Sequence, residues 1–249
     1  AAAPQARLVS GAQPLAQLRL QKSPAEVACM RRAVQIAENA LGATLRLIRI
    51  GMTEREIAGE LTLQLLRSGS DSAFPFKPIV SGGPNGANPH ASPGDRPIQS
   101  GDLLVIDWGA AHDGYISDLT RTFAVGDVDE ECRRICEIVR QANAAGRAAG
   151  RPGLPAGQVD EITRAVIDQA GYGAYFIHRT GHGIGMEGHE APYIYGENDL
   201  LLAEGMAYTV EPGIYLPDRN GVRIEDNVII TAGGCETLST LPRELITIG

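Results

Sequence analysis

Slid along itself by 102 positions, the sequence matches itself in order. Arg31-Arg32 falls on Arg133-Arg134, Ile36 on Ile138, Ala40 on Ala142 and Ala43 on Ala145. Gly51 then falls on Gly153, and Gly69 on Gly171. Each copy reads as a long helix, a Gly break, a second helix and a Gly stop. Ser23-Pro24-Ala25-Glu26 opens the first helix, which the pattern carries to about Ile48. Thr53 caps the second, with Glu56 at the capping-box position, and Ser68-Gly69 ends it. After a loop rich in Gly, Pro and Asn over 81–100, strands are expected at Leu103–Trp108 and Tyr115–Phe123, joined through His112-Asp113-Gly114. A duplicated unit of this kind predicts an α/β (α+β) fold with pseudo-two-fold symmetry, and residues carried by both copies meet at its centre.

Each copy ends in a hairpin that carries two acids. Asp107 lies in the apolar run Leu103–Trp108, where a lone charge is expensive. Asp118 lies on the returning strand, and the midpoint of the hairpin sets the two about opposite each other. Facing residues of an antiparallel pair have Cβ atoms about 5 Å apart, so these carboxylates would share one site. Glu211 and Glu225 repeat the arrangement around the turn at Asn220-Gly221. Taken singly, each acid reads as a solvated charge or a partner of Arg121 or Arg223. Four in matching hairpins read as a cation site, because neighbouring carboxylates do not all ionise without one.

His182, flanked by Gly181 and Gly183, adds an imidazole with room to reach inward. One His and four carboxylates make a hard, oxygen-rich set that favours Mn²⁺, with Co²⁺, Zn²⁺ or Fe²⁺ as alternatives. Five ligands exceed one tetrahedral zinc and suit two divalent metal ions about 3.5–4 Å apart. Such a pair can hold a bridging hydroxide near neutral pH and stabilise the oxyanion formed when a carbonyl is attacked.

At these residues the sequence resembles the Xaa-Pro peptidases, prolidase and aminopeptidase P, which are related to methionine aminopeptidase. The resemblance spans about residues 20–249. It rests on Asn88-Pro89-His90, Ile106-Asp107-Trp108-Gly109, Ser117-Asp118-Leu119-Thr120-Arg121, His178 through Gly185, Gly188-His189-Glu190, Glu211-Pro212-Gly213-Ile214-Tyr215 and Arg223-Ile224-Glu225-Asp226. It implies the duplicated pita-bread fold and a metal set of Asp107, Asp118, His182, Glu211 and Glu225. It also implies that Glu211 doubles as general base, that His189 bonds the substrate carbonyl, and that His90 positions or protonates the amide nitrogen. His178, four residues before the ligand His182, and Arg223, two before Glu225, tilt the resemblance from methionine aminopeptidase toward Xaa-Pro substrates. A proline amide has no N–H, so recognition must rest on ring shape and contacts beyond it, for which His178, Tyr215 and Phe74-Pro75-Phe76 are candidates, with Arg223 as a further substrate-binding residue. Phe74 and Phe76 are read as core, and His112 as a turn residue. Methionine aminopeptidase activity and a non-catalytic peptide-binding relative are the alternatives. All five ligands and both helper histidines argue against the second of these.

The family usually carries a separate N-terminal domain that helps enclose substrate and build a homodimer. Here residues 1–23 read as a loose linker or remnant of that domain, and 24–249 as the catalytic domain; the lack of a starting Met suggests a fragment. The net charge of −8 disfavours a nucleic-acid partner. No apolar run approaches the ~20 residues needed to span a membrane. Cys29, Cys132, Cys136 and Cys235 follow no zinc spacing and read as thiols in a reducing, cytoplasmic setting.

Overall fold

In the computed structural model, which describes Gln5 and residues 9–249, the repeat becomes two sheet-and-helix halves. The first half contains α2 (Pro24–Leu45) and α3 (Glu54–Arg67), preceded by α1 (Ala12–Leu20). It continues with β1 (Ile79–Gly82), β2 (Leu103–Trp108), the short pair β3 (Ala111–His112) and β4 (Tyr115–Ile116), and β5 (Leu119–Val125). The second half runs through α4 (Glu130–Ala149), α5 (Ala156–Gln169), β6 (Gly181–Gly183), β7 (Glu190–Ile194) and β8 (Ala207–Val210). It is completed by β9 (Gly213–Leu216), β10 (Asn220–Arg223), β11 (Asp226–Thr231), β12 (Gly234–Thr237) and β13 (Ile246–Ile248).

Moved by the repeat offset, α3 lands on the bounds of α5, and β1 lands on β6. Gly51, Gly69, Gly153 and Gly171, the predicted breaks and stops, all have positive φ, which a side chain would oppose. One sheet has the order β1-β2-β5-β13, the other β12-β11-β8-β6-β7. The triplets β1-β2-β5 and β6-β8-β11 are therefore the repeated cores, and a Thr120–Glu225 bridge joins them.

Local chemistry explains the helix starts. Ser23 and Thr53 each close a reciprocal capping box, with Glu26 and Glu56, worth roughly 1 kcal/mol apiece. Apolar residues at helical spacing bury one face of α2 (Met30, Val34, Ala37, Leu41) and one face of α3 (Ile57, Leu61, Leu65). Both faces pack on the first sheet, where the indole of the fully buried Trp108 donates to the Ala37 carbonyl at 2.9 Å. The four cysteines are unbonded. Among the described residues no helix is long and apolar enough to cross a membrane.

Three expectations change. Residues 12–20 are helical where a loose segment was expected, because Ala, Leu, Gln and Arg favour helix and Pro14 sits in the tolerated first turn. α2 ends at Leu45, before Ile48. The expected strand Tyr115–Phe123 is broken at Ser117-Asp118, where Ser117 bonds back to Ala110 and the Asp118 amide donates to Asn227 Oδ1 at 3.0 Å.

Candidate metal centre

The break in that strand decides the geometry of the first acid pair. β2 and β5 pair with Asp107 opposite Thr120, so Asp107 and Asp118 are offset diagonally and do not face each other. Asn227 grips Asp118 from both sides, its amide donating to the Asp118 carbonyl at 2.6 Å, and so ties it to the other half of the fold. The second pair does face across its hairpin, although the turn lies at Pro217-Asp218-Arg219 and the expected turn residues Asn220-Gly221 pair within β10. Gly213 faces Arg223 on one side and Val210 faces Asp226 on the other, which sets Glu211 across from Glu225.

His182 lies between the pairs. Its Nε2 is 3.3 Å from Glu211 Oε1 and 3.7 Å from Asp118 Oδ2. Asp118, His182 and Glu225 each offer a ligand atom within 4.8 Å of the others. His182 Nδ1 is 3.1 Å from the Gly183 carbonyl, which can only accept, so this nitrogen donates there and Nε2 is the atom turned toward the acids. A Cβ on Gly181 would overlap the Thr209 carbonyl, which accounts for the glycine beside the ligand.

Electrostatics point to a missing positive charge. Burial, reinforced by the neighbouring acids, pushes Asp118 and Glu225 well above the usual carboxylate range. Burial also raises Asp107, although Arg223 Nη2 donates to its Oδ2 at 2.7 Å. For Glu211 burial acts upward, but His182, His178 and Arg223 more than offset it and hold the group at about 2. Asp107 Oδ1 is buried without a hydrogen-bond partner. One arginine cannot neutralise four carboxylates, and an uncompensated buried carboxylate costs several kcal/mol. Divalent cations fit this donor set: an orphaned oxygen, three acids raised by burial and an imidazole Nε2 turned toward them in one cavity.

That cavity measures about 830 Å³, and its walls include Asp107, Asp118, His182, Glu211 and Glu225 together with His90, His178, His189 and Arg223. Tyr215 does not line it. Its hydroxyl receives a bond from Arg223 Nη1 at 2.9 Å and lies 2.8 Å from His178 Nε2, so it stands behind both. Phe76 is half-buried and lines the cavity, contrary to its reading as core, while Phe74 packs on the core as expected. Arg121 pairs with the Asp226 carboxylate and donates to the Glu225 backbone carbonyl at 2.7 Å, so it supports the strand and neutralises no cavity carboxylate. His112, read as a turn residue, instead ends β3 opposite Tyr115, with the turn at Asp113-Gly114, and does not line the cavity.

Three supporting residues escaped the sequence reading: Thr120, Thr209 and Asn227. Thr120 donates to Glu225 Oε2 at 2.7 Å, and Thr209 donates to Glu211 Oε1 at 3.1 Å. Each of the three lies two positions from a ligand, so strand alternation would have found them on the same face. Glu54 was missed without such a signal. It is fully buried at the start of α3 and accepts from Gly82 N, Asn85 Nδ2 and Gly94 N at 2.7–2.8 Å, bracing the loop that carries His90. Glu54→Ala strands those donors and is expected to cost roughly 3 kcal/mol of stability, read by urea denaturation. A loss below roughly 1 kcal/mol would mean the loop holds itself.

The model of metallopeptidase family M24 matches residues 28–232. The chain belongs to this family. It is 43% identical to the Xaa-Pro dipeptidase of Lactobacillus helveticus over 92% of its own length and 62% of that relative's. Its fold superposes on the Xaa-Pro dipeptidase of Bacillus anthracis with a TM-score of 0.93, at 41% identity and covering 96% of this chain and 67% of that one. The X-Pro aminopeptidase of Thermotoga maritima gives 0.92 at 37% identity, covering 95% and 67%. The M24 chain thus spans about two thirds of the length of these relatives, and its pita-bread architecture is theirs.

Proposed function

We propose that this M24 chain is a dinuclear Xaa-Pro exopeptidase, releasing the residue that precedes proline at a peptide N-terminus. The observation that carries the reading is the single cavity in which all five metal-ligand candidates face His90, His178 and His189. The relatives named for Xaa-Pro substrates support the proline preference. Asp107, Asp118, His182, Glu211 and Glu225 would hold two divalent ions, Mn²⁺ first among them. When bound, these would acidify a shared water into the attacking hydroxide and offset the oxyanion charge.

The remaining work falls to side chains. Glu211, held ionised, accepts the proton of the attacking water. Burial, with His182 and Arg179 nearby, lowers His189 to about 4, so its ring is neutral at pH 7. Arg179 Nη2 points at His189 Nδ1 from 3.4 Å, a long contact that favours Nδ1 as acceptor and Nε2–H as donor. A neutral donor there suits a carbonyl oxygen that gains charge. His90, exposed among the cavity-lining residues, is free to meet the proline nitrogen as the C–N bond breaks.

His178 has no ring nitrogen to spare: Nδ1 donates to the Arg179 carbonyl at 2.8 Å, and Nε2 faces the Tyr215 hydroxyl. It therefore offers substrate only ring shape, which is what a proline without an N–H calls for. His178→Ala is expected to lower kcat/KM for Xaa-Pro substrates roughly 10- to 200-fold with Mn²⁺ content unchanged. Equal loss of metal would instead make it a support of Asp107, through Tyr215 and Arg223. The free thiols accord with a cytoplasmic location.

The test of the whole reading is a panel with added Mn²⁺: an Xaa-Pro dipeptide, an Xaa-Pro-Xaa tripeptide and a Met-Ala tripeptide, with products identified by mass spectrometry. Cleavage confined to the proline substrates is expected. Cleavage of Met-Ala alone would assign methionine aminopeptidase activity, and silence on all three would leave a peptide-binding relative.

A further inference from the structure

A buried ion pair next to the cavity belongs to none of the groups above. Lys22 Nζ lies 2.6 Å from Glu190 Oε1, with the two side chains 2% and 10% exposed. Glu190 opens β7 and directly follows His189. Lys22 precedes α2, within the segment read as linker and ahead of residue 28, where the family match begins.

The backbone around Lys22 is fixed. Its amide donates to the Gly205 carbonyl at 2.7 Å, and Gln21 pairs with Met206 on the turn that leads into β8 and Glu211. Its side chain therefore reaches Glu190 from a rigid base. Residues 184–189 lie outside any strand. Glu190 Oε2 is buried without a hydrogen-bond partner, so Lys22 is the contact that offsets this charge among the described residues. A Cβ on Gly185 would come within 2.7 Å of Glu190 Oε1 and 2.8 Å of Lys22 Cε. The glycine in that motif makes room for the pair. A second link, Arg19 to Glu187 at 2.7 Å, is largely exposed and adds little.

We infer that Lys22 is a positioning residue: through Glu190 it fixes the 184–190 loop that presents His189 to the cavity. Without the ammonium, the buried carboxylate must take up a proton or turn toward water, and either move shifts the start of β7. The inference rests on the role proposed for His189. It also makes the segment before α2 part of the catalytic structure.

The test compares the full chain with Lys22→Met and Lys22→Arg by hydrogen exchange, with and without Mn²⁺, and by kcat and KM on an Xaa-Pro-Xaa tripeptide. For Lys22→Met, exchange in 184–190 is expected to quicken about tenfold or more while α2 and β8 stay protected. Turnover is expected to fall roughly 10- to 100-fold with KM little changed, since a small misplacement of a reacting group costs that much. Lys22→Arg should restore most of both. Gly185→Ala, which crowds the pair with Lys22 intact, should show the same signature should Lys22→Met fold poorly. Unchanged exchange in the loop, or a uniform rise along the chain, overturns the inference. A loosened loop with full kcat overturns it together with the role of His189. A loosened loop in a protein whose parent cleaves no Xaa-Pro peptide keeps the latch and overturns the functional reading instead.

Discussion

Glu211→Gln is expected to lower kcat on Xaa-Pro peptides by roughly 10²- to 10⁴-fold while the protein stays folded. The substitution keeps shape and removes charge. It withdraws the carboxylate that lies 3.3 Å from His182 Nε2 and accepts from Thr209, and with it both a metal ligand and the proton acceptor. Some stability should be lost above the unfolded carboxylate pKa of about 4, because the contacts with His182, His178 and Arg223 that hold Glu211 ionised go with the charge. The check is steady-state kinetics at saturating Mn²⁺, alongside a thermal melt. Substantial turnover in the variant would remove Glu211 from the mechanism. A collapsed melt would show that its role is architectural.

Adding Mn²⁺ to metal-free protein is expected to raise Tm by about 8–16 °C. A ligand at about a thousand times its Kd stabilises the folded state by about 4.1 kcal/mol. Each kcal/mol moves the Tm of a chain this size by about 2–4 °C. The pH dependence separates the two states. In the metal-free protein, burial raises Asp118 and Glu225 above their unfolded values. Their contribution is thus fully present below the unfolded carboxylate pKa of about 4 and is lost as pH rises through the raised folded values. Between about pH 5 and pH 8 these acids should therefore pull the metal-free Tm down, opposed below about pH 6.5 by the lowered His178 and His189, while the gain from Mn²⁺ should grow, since cations bind the deprotonated acids. Differential scanning fluorimetry across that range reads both slopes. Parallel, flat curves would mean that the acids are compensated without metal.

Much of this was legible in the sequence because it is local or periodic. The repeat offset anticipated the bounds of α5 and the pairing of Gly51 with Gly153. The hairpin that sets Glu211 across from Glu225 was legible, but its turn was misplaced: the chain turns at Pro217-Asp218-Arg219, with Asp218 at positive φ, and Asn220-Gly221 open β10. The diagonal offset of Asp107 and Asp118 was not legible, since it depends on the side chain of Asn227, 109 positions from Asp118 along the chain. For the same reason Arg223, expected in the substrate pocket, was found there and also bonded to Asp107. Tyr215 was assigned to the pocket wall and stands one layer behind it. Spacing along a strand tells which face a residue takes, but not how deep it sits. Lys22 read as linker because nothing near it in sequence shows the carboxylate it meets.

The most direct test of the account is a titration of Mn²⁺ into metal-free protein, following hydrolysis of an Xaa-Pro-Xaa tripeptide against equivalents added. With protein held well above the metal Kd, a centre built from Asp107, Asp118, His182, Glu211 and Glu225 predicts that activity rises until two equivalents are bound and then stays level. Full activity at one equivalent would contradict the paired centre, and metal uptake with no hydrolysis at any ratio would contradict the peptidase.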